Sequence, residues 1–133
     1  MAKKNLFQKA ESALREFAIR FPETIEDHPW GHSAFKVKKK VFMIVGGTTD
    51  FLTISVKLPS SGRMALLQPY ASPTGYGLGK SGWVTAKFEP GKDIPIERMC
   101  EWTEESYRAI APKKLVAELD NPVEKPKPNK RKG

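Results

Sequence analysis

Apolar residues recur at helical spacing at the start of the chain. They are Leu6, Ala10, Ala13, Leu14, Phe17 and Phe21. Steps of three and four residues place such positions on one face of a helix. We expect Asn5 to cap this helix and Pro22 to lie just beyond its end. Two prolines and a glycine within residues 22–31 then predict a loop.

From residue 35 onward the pattern changes from helical to alternating. Phe35 and Val37 alternate with lysines, and a lysine-rich turn at 38–40 leads into an apolar run at 41–45. Gly46–Asp50 is a second predicted turn. The apolar positions of the next segment are Leu52, Ile54, Val56 and Leu58. Their period of two is that of a half-buried strand, so the region predicts an antiparallel meander of three strands.

The second half of the chain predicts two helices and further strands. Pro59–Leu67 reads as a short helix with a serine cap, and Trp83–Phe88 as a strand, with a short partner around residues 76–78. The last helix begins at Asp93-Ile94-Pro95 and ends at Pro112. Its predicted buried stripe consists of Ile96, Met99, Cys100, Thr103, Tyr107 and Ile110, and leaves Trp102 outside.

The order of these elements predicts an α+β fold, α-β-β-β-α-β-β-α. Its antiparallel sheet has four to five strands with helices on one face and leaves the other face open. The residues that alternation assigns to the open face are Lys36, Thr53, Ser55, Lys57, Trp83, Thr85 and Lys87.

Composition and charge sharpen this picture. The 133 residues suffice for one domain, and 23 basic against 15 acidic residues give a net charge of +8. Half of that excess follows Asp120, so we predict a domain at residues 1–116 and a disordered basic tail at 117–133. The longest apolar run, at 41–45, is too short to cross a membrane. The single Cys100 and the polar start of the chain favour a cytoplasmic protein.

No motif predicts catalysis or a cofactor. The segment Gly77–Gly82 fits a dinucleotide-binding pattern, but those motifs precede a helix, and here a strand follows. His28 and His32 have a helical metal-ligand spacing that Pro29 makes implausible. Cys100 lies on the apolar stripe of the last helix, where we expect a buried and unreactive thiol. We therefore expect no enzyme, no metal and no cofactor.

The lysines favour binding to nucleic acid through the phosphate backbone. The candidate contact residues are Lys36, Lys38, Lys39, Lys40, Lys57, Lys80, Trp83 and Lys87. Only six of the 23 basic residues are arginine, so sequence preference should be weak. The alternative is a module that binds a protein or small ligand. An enzyme built on Asp27, His28 and His32 is a weaker third hypothesis. We expect a monomer that does not bind membranes.

The chain also resembles the MmcQ/YjbR family over about residues 9–116. The segments that carry the resemblance are Glu26-Asp27-His28-Pro29-Trp30-Gly31-His32, Phe35-Lys36-Val37 with Lys40-Val41-Phe42, residues 52–58, residues 73–84, Trp102-Thr103-Glu104-Glu105-Ser106-Tyr107 and Ala111-Pro112-Lys113. The resemblance implies a CyaY-like, or secretion-chaperone-like, fold of about five strands. It also implies a DNA-binding protein with a "double-wing" motif, with Lys36–Lys40 as a wing-like hairpin and Lys80 and Trp83 as a lysine-then-tryptophan element. The iron function associated with the CyaY name does not transfer, because the first helix here is partly basic.

Overall fold

A computed structural model describes residues 2–28, 33–47, 51–75, 81–89 and 93–120, with the main chain alone for residues 2–8 and 47. The helices are α1 (Ala2–Ile19), α2 (Gly62–Ala65), α3 (Ile96–Ile110) and α4 (Lys113–Asp120). The strands are β1 (Thr24–Asp27), β2 (Ser33–Val37), β3 (Lys40–Gly47), β4 (Leu52–Lys57), β5 (Ala71–Pro73) and β6 (Trp83–Phe88). None of the helices in these ranges has the length and apolar content that a membrane crossing requires.

The strands form one antiparallel sheet in the order β1-β2-β3-β4-β6-β5. The predicted α+β class is confirmed, but the predicted number of strands is too low, since the described residues form six. The additional strand β1 lies in the segment predicted to be a loop. Along β1 the side chains alternate between half-buried and exposed, and Ile25 is 59% exposed. The sequence therefore lacks the apolar alternation from which this strand could be predicted. Backbone pairing with β2 makes it a strand.

The core lies between the helices and one face of the sheet. Side chains from β4, at Leu52, Ile54 and Val56, are buried there, as the alternation predicted. Leu14 of α1 and Met99 of α3 pack in the same cluster. The helices therefore cover a single face of the sheet, as expected.

An aromatic cluster joins α3 to the turn after α1. The Tyr107 ring lies 4.7 Å from the Phe21 ring and 5.2 Å from the Phe42 ring, measured between centroids. The Tyr107 hydroxyl donates a hydrogen bond of 2.7 Å to the carbonyl oxygen of Pro22. Burial raises the pKa of this phenol to about 12. The turn between α1 and β1 is thus anchored to the middle of the core.

A β-bulge in β3 changes which side chains reach the core. Phe35 is opposite Met43 and Lys36 is opposite Val41, which leaves Phe42 as the extra residue. Phe42 and Met43 are consequently both buried. The hydroxyl of Ser106 donates to the Phe42 carbonyl oxygen and accepts the main-chain N–H of Lys57 at 2.9 Å. Ser106 therefore joins β3 to β4 where the strand pairing is interrupted.

Several local predictions are wrong. Asn5 lies inside α1, which begins at Ala2, so it does not cap that helix. Ser61 occupies the N-cap position of α2, but its hydroxyl donates to Glu105 on α3 instead of capping the helix. Trp102 is buried with the core because the helix packs against neighbours on a wider arc than the predicted stripe. Cys100 is only half-buried.

Two further boundaries differ from the predictions. The short strand beside β6 is β5, at Ala71–Pro73, whereas the residues predicted for it, 76–78, lie outside the described ranges. After Pro112 the chain forms α4, which continues four residues past the predicted domain end at 116. Leu115 of α4 is buried in the core cluster, and this contact explains why the helix belongs to the domain. Residues 121–133, the rest of the predicted tail, are not described.

Candidate nucleic-acid interface

The strand register places several predicted contact lysines at the same end of the sheet. Lys36 is paired with Val41 at the start of β3, and Lys57 is the last residue of β4. The turn between β2 and β3 lies at that end as well, because Met43 pairs with Val56. The lysines gathered there are Lys36, Lys38, Lys39, Lys40 and Lys57, which we call the hairpin cluster. Folding thus joins residues from three strands and one turn.

The turn of this hairpin holds two lysines in a backbone conformation that favours glycine. Lys38 has φ of 51° and Lys39 has φ of 71°. A two-residue hairpin loop with both φ angles positive is the type I′ arrangement, for which Asn-Gly is the preferred sequence. A left-handed conformation costs an ordinary residue about 1–2 kcal/mol. Strain of this kind concentrates at functional sites, which makes the presence of lysine here a functional indication.

Two members of the cluster are paired with carboxylates. The Lys38 Nζ atom lies 2.7 Å from Oε1 of Glu23, and the Lys36 Nζ atom lies 3.0 Å from Oδ2 of Asp27. The hydrogen bond from Lys36 holds the pKa of the Asp27 carboxyl below its ordinary value, with a further contribution from the main-chain N–H of His28. Glu23 itself has φ of 56°. The non-glycine residues with positive φ in the described ranges thus all lie around this one pair of turns.

The other three members of the cluster carry unpaired charges. Lys39 and Lys40 are exposed, and Lys57 is half-buried at the end of β4. Among the described residues, none of the three forms an ion pair. The end of the sheet therefore presents three cations that are available to an anionic ligand, beside two that are already partnered.

Hydroxyl groups cross the open face between the lysines. The Thr85 hydroxyl lies 2.8 Å from the Ser55 hydroxyl and 2.8 Å from the Thr74 hydroxyl. Thr53 donates to the carbonyl oxygen of Gly46 at 3.2 Å. Thr53, Ser55 and Thr85 were predicted to be outward and polar, and the structure shows that their hydroxyls form hydrogen bonds with neighbouring segments of the sheet. These hydroxyl groups make the open face polar without adding charge to it.

Two of the three remaining predicted contact residues, Lys87 and Trp83, do not add to the cluster. Lys87 pairs with Thr53 at the opposite end of β4, and its Nζ atom lies 4.2 Å from the centroid of the Phe51 ring. Lys80 is outside the described residues. Trp83 lies beside Lys57 but is only 9% exposed. A ring so deeply covered presents no face for base stacking, so the structure favours a packing role for Trp83.

Sequence reasoning missed the two carboxylates at this site. Glu23 and Asp27 fall in the segment predicted to be a loop, and only the formation of β1 brings them beside β2. Opposite charges on neighbouring strands were the signal that was available, but it requires knowing that the strands pair. The same strand separates two residues of the hypothetical enzyme site, and the third, His32, lies outside the described residues. Asp27 is engaged by Lys36 on the open face, whereas the His28 ring lies 3.4 Å from Glu26, whose carboxylate also binds Arg15 of α1 at 2.9 Å.

The outer surface of α3 has the opposite charge character. Its acidic residues are Glu97, Glu101, Glu104 and Glu105. Glu105 accepts hydrogen bonds from the main-chain N–H groups of Ser60 and Ser61 at 2.8 and 2.9 Å. Hydrogen bonds to Asp120 and Glu104 raise the pKa of the Arg108 guanidinium between them. Helix α3 packs on the face of the sheet that carries the core, whereas Lys36 and Lys57 of the cluster alternate with buried residues and so belong to the open face.

The described residues show little sign of other chemistry. They contain no group of three or more metal-binding side chains. The glycine segment leads through Gly82, at φ of 92°, directly into β6. Because a strand follows and no helix does, phosphate binding of the dinucleotide type has no helix N-terminus to use. Burial raises the pKa of the Cys100 thiol, with smaller contributions from Glu101 and Glu97, which disfavours a reactive thiolate.

The comparison with known families agrees with the fold and the quoted motifs. The YjbR family model matches residues 19–109. The chain belongs to the YjbR family. The matched YjbR region extends from the end of α1 almost to the end of α3, and so contains the whole sheet and the hairpin cluster.

Two solved structures resemble this YjbR domain. A Deinococcus radiodurans protein with a DUF419 domain is 27% identical, with a TM-score of 0.58, and the match covers 80% of this chain and 85% of that one. A Pseudomonas syringae protein is 18% identical, with a TM-score of 0.47, over 66% of this chain and 90% of that one. No curated protein matches. The first structure supports the fold, and neither description names an activity.

Proposed function

We propose that this protein binds DNA through the phosphate backbone, using the hairpin cluster as the contact surface. The observation that carries the proposal is the hairpin turn. Lys38 and Lys39 occupy positions where glycine or asparagine is more stable, and Lys39 and Lys40 project from the end of the sheet without a carboxylate partner. Glycine or asparagine would strain the turn less, and the exposed Lys38–Glu23 ion pair stabilises it only slightly, so a ligand is the better explanation for the lysines.

The shape and chemistry of the surface favour backbone contacts over base reading. Lysine is a point charge that binds a phosphate from many directions, whereas guanine recognition usually requires the two-pronged guanidinium of arginine. The cluster consists of lysine alone, and Trp83 is too buried to stack. Binding should therefore depend weakly on sequence and strongly on salt.

The test is fluorescence anisotropy with a labelled duplex of about 20 base pairs, which is long enough to cover a domain of this size. A double variant, Lys39→Asn with Lys40→Gln, removes two unpaired cations, and asparagine tolerates the left-handed turn. At 50 mM salt we expect affinity to fall by about tenfold or more, because two phosphate contacts are lost.

The matched control removes two lysines from the helical side. Lys113 and Lys114 are exposed on α4, which packs its Leu115 into the core between the helices and the sheet. Lys113→Gln with Lys114→Gln has the same change in net charge and should alter affinity by less than about twofold. Equal losses in the two double variants, or no saturable binding by the unmodified chain at low salt, would refute the proposal.

A second candidate function, association with a protein, is favoured by one observation. Met64, Leu66 and Leu67, in α2 and just after it, are 69%, 40% and 76% exposed. Apolar side chains grouped in this way on a surface often mark an interface. Light scattering at increasing protein concentration tests the simplest case, association of two copies. A molar mass that stays monomeric, and that Leu67→Ser does not change, would remove this support.

A further inference from the structure

The two paired lysines of the hairpin cluster differ from the others in a way that affects any anionic ligand. Each already holds a carboxylate oxygen at ion-pair distance, 2.7 Å for Lys38 and 3.0 Å for Lys36. A carboxylate and a phosphate present the same kind of oxygen to an ammonium group. A phosphate that approaches Lys36 or Lys38 must therefore share the lysine with Asp27 or Glu23, or displace it.

The fold places both acidic residues beside the lysines. Asp27 is on β1, where it pairs with Ala34 and accepts the main-chain N–H of His28 at 2.9 Å. Glu23 precedes β1 in the turn that the Tyr107 hydroxyl anchors at Pro22. Since β1 is the edge strand beside β2, strand pairing and the turn hold the main chain of both acidic residues next to the lysines.

We infer that Glu23 and Asp27 are built-in competitors for phosphate, which reduce the hairpin cluster from five cationic contacts to three. The inference rests on the proposed DNA-binding function and specifies how strong it is. Lys39, Lys40 and Lys57 bind phosphate directly. Lys36 and Lys38 stay paired with their carboxylates, because exchanging one anion for another gives little net gain in free energy. The protein should therefore bind DNA weakly, with an affinity that falls as salt is added.

The inference predicts a number that affinity alone would not provide. The slope of log affinity against log salt is about −0.9 for each phosphate that a cation neutralises on duplex DNA. Three contacts predict a slope of about −2.7, and five contacts predict about −4.5. A lysine that stays paired with its carboxylate neutralises no phosphate and therefore adds nothing to the slope.

The experiment measures this slope between 50 and 200 mM salt with the full chain and the same labelled duplex. Glu23→Gln with Asp27→Asn should steepen the slope by about 1.8 and raise affinity at the lowest salt by about tenfold or more. The control, Glu97→Gln with Glu104→Gln, changes the net charge equally on the outer surface of α3, and should keep the original slope. Thermal melts establish that each variant is folded.

A charge-preserving variant separates pairing from net charge. Glu23→Gln combined with Lys38→Asn removes both partners of one ion pair, and should restore the slope of the unmodified chain. A slope near −4.5 in the unmodified chain that the acid variants do not alter, or an equal change in the control, would overturn the inference and leave DNA binding in place. Absence of binding in the unmodified chain and in every variant would instead refute the proposed function.

Discussion

The hairpin cluster and the outer surface of α3 both carry many charges, but they use them differently. On α3, Glu105 accepts hydrogen bonds of 2.8 and 2.9 Å from two main-chain N–H groups between β4 and α2. Arg108 donates hydrogen bonds of 2.9 Å to both Glu104 and Asp120. These charges tie elements of the fold together. In the cluster, Lys39 and Lys40 bind no described carboxylate, and Lys39 occupies a strained turn position.

The difference shows how to separate structural charges from functional ones. A charge that satisfies a main-chain group or joins two helices has a structural reason to be present, and its removal should lower stability. A charge without such a partner, on a backbone that resists it, should lower stability very little or not at all when removed. The contrast can be tested with three sets of variants.

The largest expected effect is on Ser106, which lies on the inner side of α3. Ser106→Ala leaves the buried Phe42 carbonyl and the Lys57 N–H without their partner, so the free energy of unfolding should fall by about 2–3 kcal/mol. Urea denaturation measures this. Ser55→Ala removes a half-buried hydroxyl from the open face and should cost under about 1 kcal/mol. Equal effects would show that the bulge does not depend on Ser106.

A smaller loss is expected for the acidic surface. Glu105→Ala removes the acceptor of the Ser60 and Ser61 main-chain groups and should lower the free energy of unfolding by about 1–2 kcal/mol. Its affinity for DNA should rise by no more than the control change in net charge produces. Glu97→Ala, in the first turn of the same helix, is the stability control. A larger gain in DNA affinity for Glu105→Ala would break the distinction between the two surfaces.

The smallest change in stability is expected at the hairpin, and it has the opposite sign. Lys38→Asn with Lys39→Gly matches the preferred sequence of a type I′ turn, and should raise the free energy of unfolding by about 1 kcal/mol. The same variant should weaken DNA binding, since it removes a cation without a carboxylate partner. Destabilisation would show that the lysines support the turn, and would weaken the functional reading of its strain.

Most of the sheet was predictable because its strands have apolar residues at every second position. The strand β4 is predicted by its alternating apolar residues, Leu52, Ile54 and Val56. The change from apolar steps of three and four residues to steps of two marks the boundary between α1 and the meander. β1 was not predictable in this way. It is a four-residue edge strand without a buried apolar side, and it forms because β2 offers it main-chain hydrogen bonds.

The candidate site, too, was only partly predictable from the sequence. The lysines at 36 and 38–40 are adjacent in the chain, so a basic hairpin is visible in the sequence itself. Lys57 joins them only through the pairing of β4 with β3. Lys87 shares an alternating pattern with the predicted open-face residues, yet register carries it to the other end of the sheet.

The amino-acid pattern by itself determined the α+β class, the meander and an excess of lysine near one turn, because these depend on local periodicity and composition. Tertiary structure alone decided which lysines meet, which of them face carboxylates and how deeply Trp83 is covered. The physical reason is that charge pairing and burial depend on contacts between strands distant in the chain. Glu23 and Lys38 are fifteen positions apart, and it is the pairing of β1 with β2 that brings their side chains within 2.7 Å.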